Sequence, residues 1–577
     1  MCGILCLVTG SECSDSFFRG IISSAGNGGL LQRRGPDYQG YMETWLDSTW
    51  KVLSYSTVLH MRGELCKQPV CNSTSGGILL WNGEVFGGIQ VPDLANDTEV
   101  LISLLDNCKD DEQILSVFKQ IQGPYAFVYI KKNQRELWFG RDVFGRRSLT
   151  FLLNPNSKDL YLSSVALSQI IELNSGGQWK ELAAAGIYKL VVGESGYKID
   201  CFPWKHNTIT PNEELRSSIV HDSLLELPNF HSLNLTIPST DDLILLPDSV
   251  DIDKVLTFTA TNLQQECEKF LEKLKLAVYR RVSGHSYVCD KCRIDSNCAM
   301  SHISVMFSGG IDSMMLAYLA DQCVPKNQPI DLLNVAFETG SGGSYDVPDR
   351  VTGRLALTEL ATDRLWNFVE IDVTKEELQR YRKERVSELI WPLNSVLDDS
   401  IGCAMWFASR GRGSIVSADG SKILYTSTSR VVLSGLGADE QLGGYSRHRS
   451  SFQQNGFDGL LAEIDLDVSR ISARNLGRDD RVVSDHGKEA RFPFLDEEFV
   501  SFLNSLPIEK KMDLRLPRGV GEKLLLRACA TKCGLHSTAR LAKRAIQFGS
   551  RIAKCENRKE KGSDVCDRLH HVQGHKT

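Results

Sequence analysis

The sequence predicts two successive folds: a sheet-rich α+β unit, then an α/β unit built on a parallel sheet. Three observations carry that expectation. Short alternating apolar runs dominate up to about Leu190, and prolines and polar residues interrupt every period from Cys201 to Pro247. Beyond that, strand patterns alternate with helical ones. At 577 residues the chain exceeds what one hydrophobic core organises, so two or more domains are expected.

In the first unit, Gly77-Ile-Leu-Leu-Trp-Asn-Gly-Glu, Tyr125-Ala-Phe-Val-Tyr-Ile and Glu136-Leu-Trp-Phe-Gly read as strands. The stretch from Thr98 to Asn107 reads as a helix between them. Pro203, Pro211, Pro228, Pro238 and Pro247 then break any long element, which predicts an irregular connection. In the second unit Leu263–Val282 carries a helical period, and Ile303-Ser-Val-Met-Phe is a buried strand followed by a helix from Ser313 to Asp321. A strand at Asp331-Leu-Leu-Asn-Val-Ala-Phe, a helix within 348–363 and a strand at Trp366-Asn-Phe-Val-Glu-Ile-Asp-Val continue the alternation. Thr374 and Glu377 predict a capping box opening a helix that runs to Ile390. The residues from about Lys554 are polar and read as a poorly ordered tail.

Bulk properties exclude several functions. The net charge of -6 supplies no general field for nucleic acid, and no apolar run is long enough to span a bilayer. The start, Met-Cys-Gly-Ile-Leu-Cys-Leu-Val, has no basic region and does not read as a secretory signal. Seventeen cysteines without a repeating framework suggest reduced thiols and a cytoplasmic setting.

Cys2 is the first candidate for chemistry. Removal of Met1 before a small residue would place a free α-amine beside its thiol, and that amine, with a reference pKa near 8, can act as the base for its own side chain. By itself the residue reads as a small side chain at a terminus. Arg34-Gly-Pro-Asp37, His60-Met-Arg62, Asn82-Gly-Glu84, Asn96-Asp-Thr-Glu99 and Arg141-Asp-Val-Phe-Gly145 follow in order. Together with Cys2 this run resembles the class II glutamine amidotransferase domain over roughly residues 2–185. The resemblance implies an N-terminal nucleophile sandwich in which Cys2 attacks the glutamine amide. It implies Arg62 on the substrate carboxylate, Glu84 and Asp97 on its amine, and Asn82 with the Gly83 amide as the oxyanion hole.

The second candidate is Ser308-Gly-Gly-Ile-Asp-Ser313, between a strand and a helix. Its glycines let exposed amides close on a phosphate at a helix N-terminus, although it lacks the Gly-Lys-Ser/Thr ending of a Walker loop. A tight strand-to-helix turn has the same pattern. Leu433-Ser-Gly-Leu-Gly-Ala-Asp-Glu-Gln-Leu-Gly-Gly-Tyr445 and Glu489-Ala-Arg-Phe-Pro-Phe-Leu-Asp496 add to it. These segments resemble the asparagine synthetase family. The resemblance implies an α/β parallel-sheet ATP-pyrophosphatase domain over 261–553, a connecting segment over 186–260 and a polar tail over 554–577. It further implies ATP as substrate, with Ser308, Gly309, Gly310 and Ser313 on the pyrophosphate. Asp312 and Asp439 would hold Mg²⁺, and Met306, Val335, Ser434 and Gly435 would line the adenosine pocket. Lys543 and Arg544 would neutralise phosphate charge. Glutamine, aspartate and ATP are the implied small-molecule partners, with neither nucleic acid nor membrane, and a homodimer is one assembly the sequence permits.

Two positions depart from that family. Leu436 stands where synthetases carry a glutamate that handles ammonia attack, and a leucine accepts no proton. Ala545 stands where they carry a lysine. A weakened synthetase acting as a binding or regulatory protein, or a glutaminase with another acceptor, therefore stays open beside asparagine synthesis. Cys289, Cys292 and Cys298 with His285 or His302 fall short of the two ligand pairs of a zinc site, and the segment reads as a loop.

Overall fold

The computed structural model describes residues 2–569 apart from 11–14, 27–28, 73–74, 174–176, 195, 207, 216, 244–250, 284–299, 340–342, 418 and 556–559. Cys289, Cys292, Cys298 and His285 lie outside the described residues.

The first unit stacks two sheets. A six-stranded sheet centres on Gly3–Thr9, which pairs antiparallel with Lys51–Val58 on one side and Leu160–Ser163 on the other. A seven-stranded sheet runs from Ser218–Ile219 through Gly196–Pro203, Gly186–Gly193, Glu136–Arg141, Tyr125–Lys131 and Ile78–Gly83 to Val70–Cys71. Side chains alternate faces along a strand, so Ile4, Cys6 and Val8 join Ile78, Leu80, Val128 and Ile130 in one buried core. Their neighbours Leu5, Leu7, Leu79 and Phe127 belong to a second core that includes the helices. There Phe118, from the helix Asp111–Gln120, stacks on Phe127 with ring centroids 4.0 Å apart. The result is a four-layer α+β sandwich with the N-terminal strand in mid-sheet.

The sheet continues past residue 185. Gly186–Gly193 and Gly196–Pro203, expected within the connection, pair with each other and with Glu136–Arg141. Their alternating apolar residues Ile187, Leu190, Ile199 and Cys201 are buried in the sandwich. Beyond Trp204 the chain is mostly irregular apart from the edge strand Ser218–Ile219, and His231 and Asn234 bond to Ser501 and Asn504 of the second unit.

The second unit is a seven-stranded sheet. Ile303–Met306, Ile330–Phe337, Trp366–Val373, Val431–Leu433 and Glu489–Arg491 are parallel, as the βα alternation predicts. The sheet is mixed rather than wholly parallel, because the hairpin Arg412–Val416/Lys422–Thr426 adds an antiparallel edge. Thr374 caps Lys375–Tyr381 by accepting from Glu377 N–H at 3.1 Å, but the Glu377 carboxylate turns to Arg410 at 2.7 Å instead of closing a capping box. A salt bridge to a neighbouring helix outcompetes the reciprocal local contact. The helix Ile252–Asn262 buries Val255, Leu256 and Ala260 in the core of this unit, so the unit begins before residue 261.

The tail is also docked in part. Leu397 and Val396 donate to the Gly562 and Asp564 carbonyls, Cys566 N–H donates to Asn394 O, and Cys566 is buried. Backbone pairing with the start of Val396–Arg410 orders a stretch whose composition signalled none.

The two units meet across buried charge. Arg34 Nη2 lies 2.8 Å from Asp480 with both side chains fully buried, and Arg147 lies 3.2 Å from Glu489. Arg146 pairs with Glu497, Arg481 with Glu181, and Arg430 with Asp37.

Candidate active sites

Cys2 precedes the central strand of the six-stranded sheet. Its backbone N–H donates to Asn82 Oδ1 at 3.0 Å, and its carbonyl accepts from Arg34 Nε at 3.3 Å. Next to it, a Cβ on Gly3 would lie 2.5 Å from the Thr57 hydroxyl, so only glycine lets this strand close on its neighbour. Asn82 is fully buried in the strand Ile78–Gly83 of the facing sheet. Its Oδ1 is taken by Cys2, while its Nδ2 has no hydrogen-bond partner among the described residues. Leaving such a donor unmet costs about 1–3 kcal/mol, a cost that a bound acceptor would remove.

Arg62 Nη1 donates to Val85 O at 2.8 Å, and Val85 N–H donates to Asp97 Oδ2 at 3.0 Å. Val85 therefore ties Arg62 to Asp97, and Glu84 is the residue before it. Burial pushes the Glu84 carboxyl up to about 8, reinforced by the negative charge of Glu489 and Asp97 and opposed by Arg491 and Arg62. Burial likewise pushes Asp97 up to about 6 and raises the Cys2 thiol. The structure thus brings all six expected residues of the first site, Cys2, Arg62, Asn82, Gly83, Glu84 and Asp97, into one neighbourhood. It adds Glu489 and Arg491, which belong by sequence to the nucleotide unit. Arg491 Nη2 lies 3.7 Å from Glu84, and its guanidinium covers Phe86 at 5.2 Å. No local signal could have shown this, because the contact spans some 400 residues of chain.

The second site lies where the strand order reverses in the α/β sheet. Ile303–Met306 has Ile330–Phe337 on one side and Val431–Leu433 on the other, and a crevice outside the carboxyl ends of the strands follows from that reversal. The loops after Met306 and Leu433 face each other there, and a Cβ on Gly435 would meet Asp312 Cβ at 2.8 Å. Gly310 caps the helix Ile311–Cys323, its N–H donating to Ser308 Oγ at 3.2 Å and its carbonyl accepting from Ser313 Oγ at 2.9 Å. A cavity of about 490 Å³ opens at this point. Met306, Ser308, Gly310, Asp312 and Ser313 line it, as do Val335, Ser434, Gly435 and Asp439. Gly309 is not on its wall. With φ at 75° it tucks under Pro348–Leu357, where a Cβ would lie 2.5 Å from the Thr352 and Gly353 backbone.

Lys523, outside every motif singled out in the sequence, sits between the two expected metal-binding carboxylates. Its Nζ lies 2.6 Å from Asp312 Oδ2 and 2.6 Å from Asp439 Oδ1. It follows the glycine pair Gly519 and Gly521 and is held at a left-handed φ of 57° before the helix Leu524–Lys532. Burial works against its charge, but Asp312 and Asp439 outweigh burial and raise its pKa. Asp439 is buried too, yet Lys523 and Lys543 hold its carboxyl far below the usual range. Lys543 pairs directly with Asp439, so positive charge reaches the site two residues before Ala545. Arg544 is 3.8 Å from Asp349, a cavity-lining carboxyl that burial pushes up to about 7.

Leu436 and Glu440 both line the cavity, but the Glu440 carboxylate is already engaged. Glu440 accepts from Gly437 N–H at 3.2 Å and from Tyr445 Oη at 2.6 Å, which commits it to capping the short helix Ala438–Gln441.

Comparison with known proteins agrees with this division. The asparagine synthase family model matches residues 299–463 and 454–555, and a glutamine amidotransferase domain model matches 57–169. The chain is 42% identical to the Bos taurus asparagine synthetase domain-containing protein 1, covering 99% of this chain and 98% of that one. An asparagine synthetase domain-containing protein of Drosophila melanogaster is 35% identical over 99% of this chain and all of its own length. A Bacillus subtilis protein named asparagine synthetase [glutamine-hydrolyzing] 1 is 21% identical over 77% of this chain and 59% of its own.

Proposed function

This chain belongs to the asparagine synthetase domain-containing family, and from that premise we propose that it hydrolyses glutamine in its first unit and activates a carboxylate with ATP in its second. The observation that carries the reading is Asn82, buried, fixed to Cys2 through Oδ1 and with Nδ2 unmet. An amide so placed supplies what a tetrahedral oxyanion needs, a preorganised donor in a water-poor site.

In the proposed reaction the Cys2 thiol gives its proton to its own α-amine after Met1 is removed, and the thiolate attacks the glutamine Cδ. Asn82 Nδ2 and the Gly83 N–H stabilise the oxyanion, ammonia leaves, and water resolves the thioester to glutamate. Arg62 takes the substrate carboxylate, and Glu84 with Asp97 the ammonium. Ammonia would then pass between the sites, which requires an interface closed to bulk water, and the fully buried pairs of Arg34 and Arg147 with Asp480 are part of such a seal.

In the second unit the Ser308–Ser313 amides and the helix N-terminus receive the ATP phosphates. Asp312 and Asp439 are two hard carboxylate donors whose shared position the Lys523 ammonium holds, so a metal ion would bind there as that ammonium shifts aside. With phosphate oxygens and waters supplying the other ligands, that set fits Mg²⁺. When bound, the ion would neutralise the leaving pyrophosphate. Lys523 and Lys543 hold the carboxylates in place and add positive charge beside them. Aspartate is the acceptor the family supplies, giving asparagine, AMP and pyrophosphate.

Leu436 and the committed Glu440 favour a second reading for the last step. The cavity binds and activates, but no free carboxylate at position 436 or 440 assists ammonia attack. A glutaminase with another acceptor, or a protein that binds its ligands with little amidation, then results. Purified protein with Met1 removed, given glutamine, aspartate and Mg·ATP, separates the readings. Equal asparagine and pyrophosphate, lost in Cys2→Ala and rescued by ammonia, is the result expected of a synthetase. Glutamate without asparagine leaves only the glutaminase half standing, and glutamate no greater than in Cys2→Ala refutes that half.

A further inference from the structure

Gln68 is a further buried polar side chain at the first site, with 2% of its surface exposed. Its Oε1 accepts from Trp81 N–H at 2.7 Å. That bond fixes which end of the amide faces where, since a reversed amide would set an NH₂ against the Trp81 N–H. With Oε1 so anchored, Nε2 lies 3.7 Å from Cys2 Sγ, within reach of a hydrogen bond to sulfur. Trp81 also precedes Asn82, so one short stretch of strand positions both the donor to the thiol and the holder of the Cys2 nitrogen.

We propose that Gln68 is a positioning residue for the nucleophile, its Nε2–H donating to Cys2 Sγ so that the thiolate is favoured over the thiol and aimed at the substrate. The inference rests on the reading of Cys2 as the nucleophile. The proton lost from Sγ goes to the Cys2 α-amine, so the step needs no further acid or base.

The need for such a donor is visible around the sulfur. Burial opposes the thiolate, and Glu489 and Asp97 face it with negative charge, while Cys66 is a further ionisable neighbour. The chain's amino terminus and the Leu59 N–H act in the opposite sense, and Arg34 is spent on the Cys2 carbonyl and on Asp480. A donor fixed to the backbone of the facing sheet adds to the favourable side at no cost in mobility.

The test uses the full chain with Met1 removed and reads the pH dependence of Cys2 alkylation by iodoacetamide, followed by mass spectrometry of the Cys2 peptide. Gln68→Glu keeps the oxygen that Trp81 N–H requires but sets an anion against the sulfur. Gln68→Met keeps the bulk and removes the donor without adding charge. The alkylation midpoint is expected to rise by about one pH unit or more in Gln68→Glu and by a smaller, measurable amount in Gln68→Met, with both variants still folded by circular dichroism. A midpoint unchanged in Gln68→Met overturns the proposal, as does an unchanged midpoint in Gln68→Glu. Glutaminase turnover in the same samples is a separate readout. If the midpoints move but the parent protein releases no glutamate, the glutaminase reading fails, and what stands is only that Gln68 sets the ionisation of the Cys2 thiol.

Discussion

Replacing Lys523 by alanine leaves Asp312 and Asp439 facing each other without the ammonium that lies 2.6 Å from each. Lys523 is 1% exposed, so water does not restore the lost charge. Removing one partner from a buried ionic group costs about 3–5 kcal/mol. The second unit, of roughly 300 residues at about 2.1 cal/mol/K each, has an unfolding entropy near 0.6 kcal/mol/K, so its melting temperature should fall by about 5–8 °C. Mg²⁺ can enter the vacated position, and at a hundred times its dissociation constant it would return about 2.7 kcal/mol. Lys523→Gly should melt higher than Lys523→Ala, because glycine relieves the left-handed backbone at about 1 kcal/mol. The pH dependence follows from the directions of the shifts. The share of stability from Asp439, whose pKa is depressed, is present above its unfolded value of 3.8 and is lost as pH falls below it. The share from Lys523, whose pKa is raised, is complete below 10.5 and is lost only as pH rises through the folded value. Calorimetric scans of wild type and both variants, with and without Mg²⁺, make the check. A Lys523→Ala protein that melts with the wild type and ignores Mg²⁺ would refute the reasoning.

Other expectations can be tested alongside. Asn82→Ala should lower glutamine-dependent glutamate release about 10²–10³-fold while ammonia-dependent turnover persists, since one oxyanion donor is lost; an unaffected rate removes Asn82 from the mechanism. Glutamine binding at pH 7 should release a proton, because Glu84, held at about 8, must ionise to meet the substrate ammonium; titration calorimetry in buffers of different ionisation heat would show it, and identical heats would contradict it. Before ligand arrives, this raised pKa also means that Glu84 costs stability increasingly as pH climbs from 4.5 through 8. Arg34→Ala should destabilise the joined units by about 1–3 kcal/mol, because Asp480 loses its closer arginine and keeps Arg147 at 3.5 Å, seen as a lowered unfolding midpoint. Leu436→Glu should raise ammonia-dependent amidation by about 10²-fold or more if the missing base limits that step; no gain would mean that Leu436 is not the limiting feature.

The sequence alone determined the local pieces of this protein. Alternation gave the strands at Tyr125 and Glu136, the βα period gave the parallel strands at Ile303, Ile330 and Trp366, and the glycine loop at Ser308 lies between strand and helix as its residues require. The six residues proposed for the first site each belong to a short ordered motif, and the fold brings those motifs into one neighbourhood. Tertiary structure alone decided what lies far apart in the chain. Lys523 reaches Asp312 across 211 positions, and Arg491 reaches Glu84 only because two units share a buried interface. Glu440 carries the right chemistry in the sequence, but its hydrogen bonds to Gly437 and Tyr445 commit it elsewhere. Composition likewise could not show that residues near Cys566 find backbone partners at Asn394 and Leu397. Local pattern records what a segment tends to form, whereas charge pairing and backbone satisfaction depend on which segments the fold brings together.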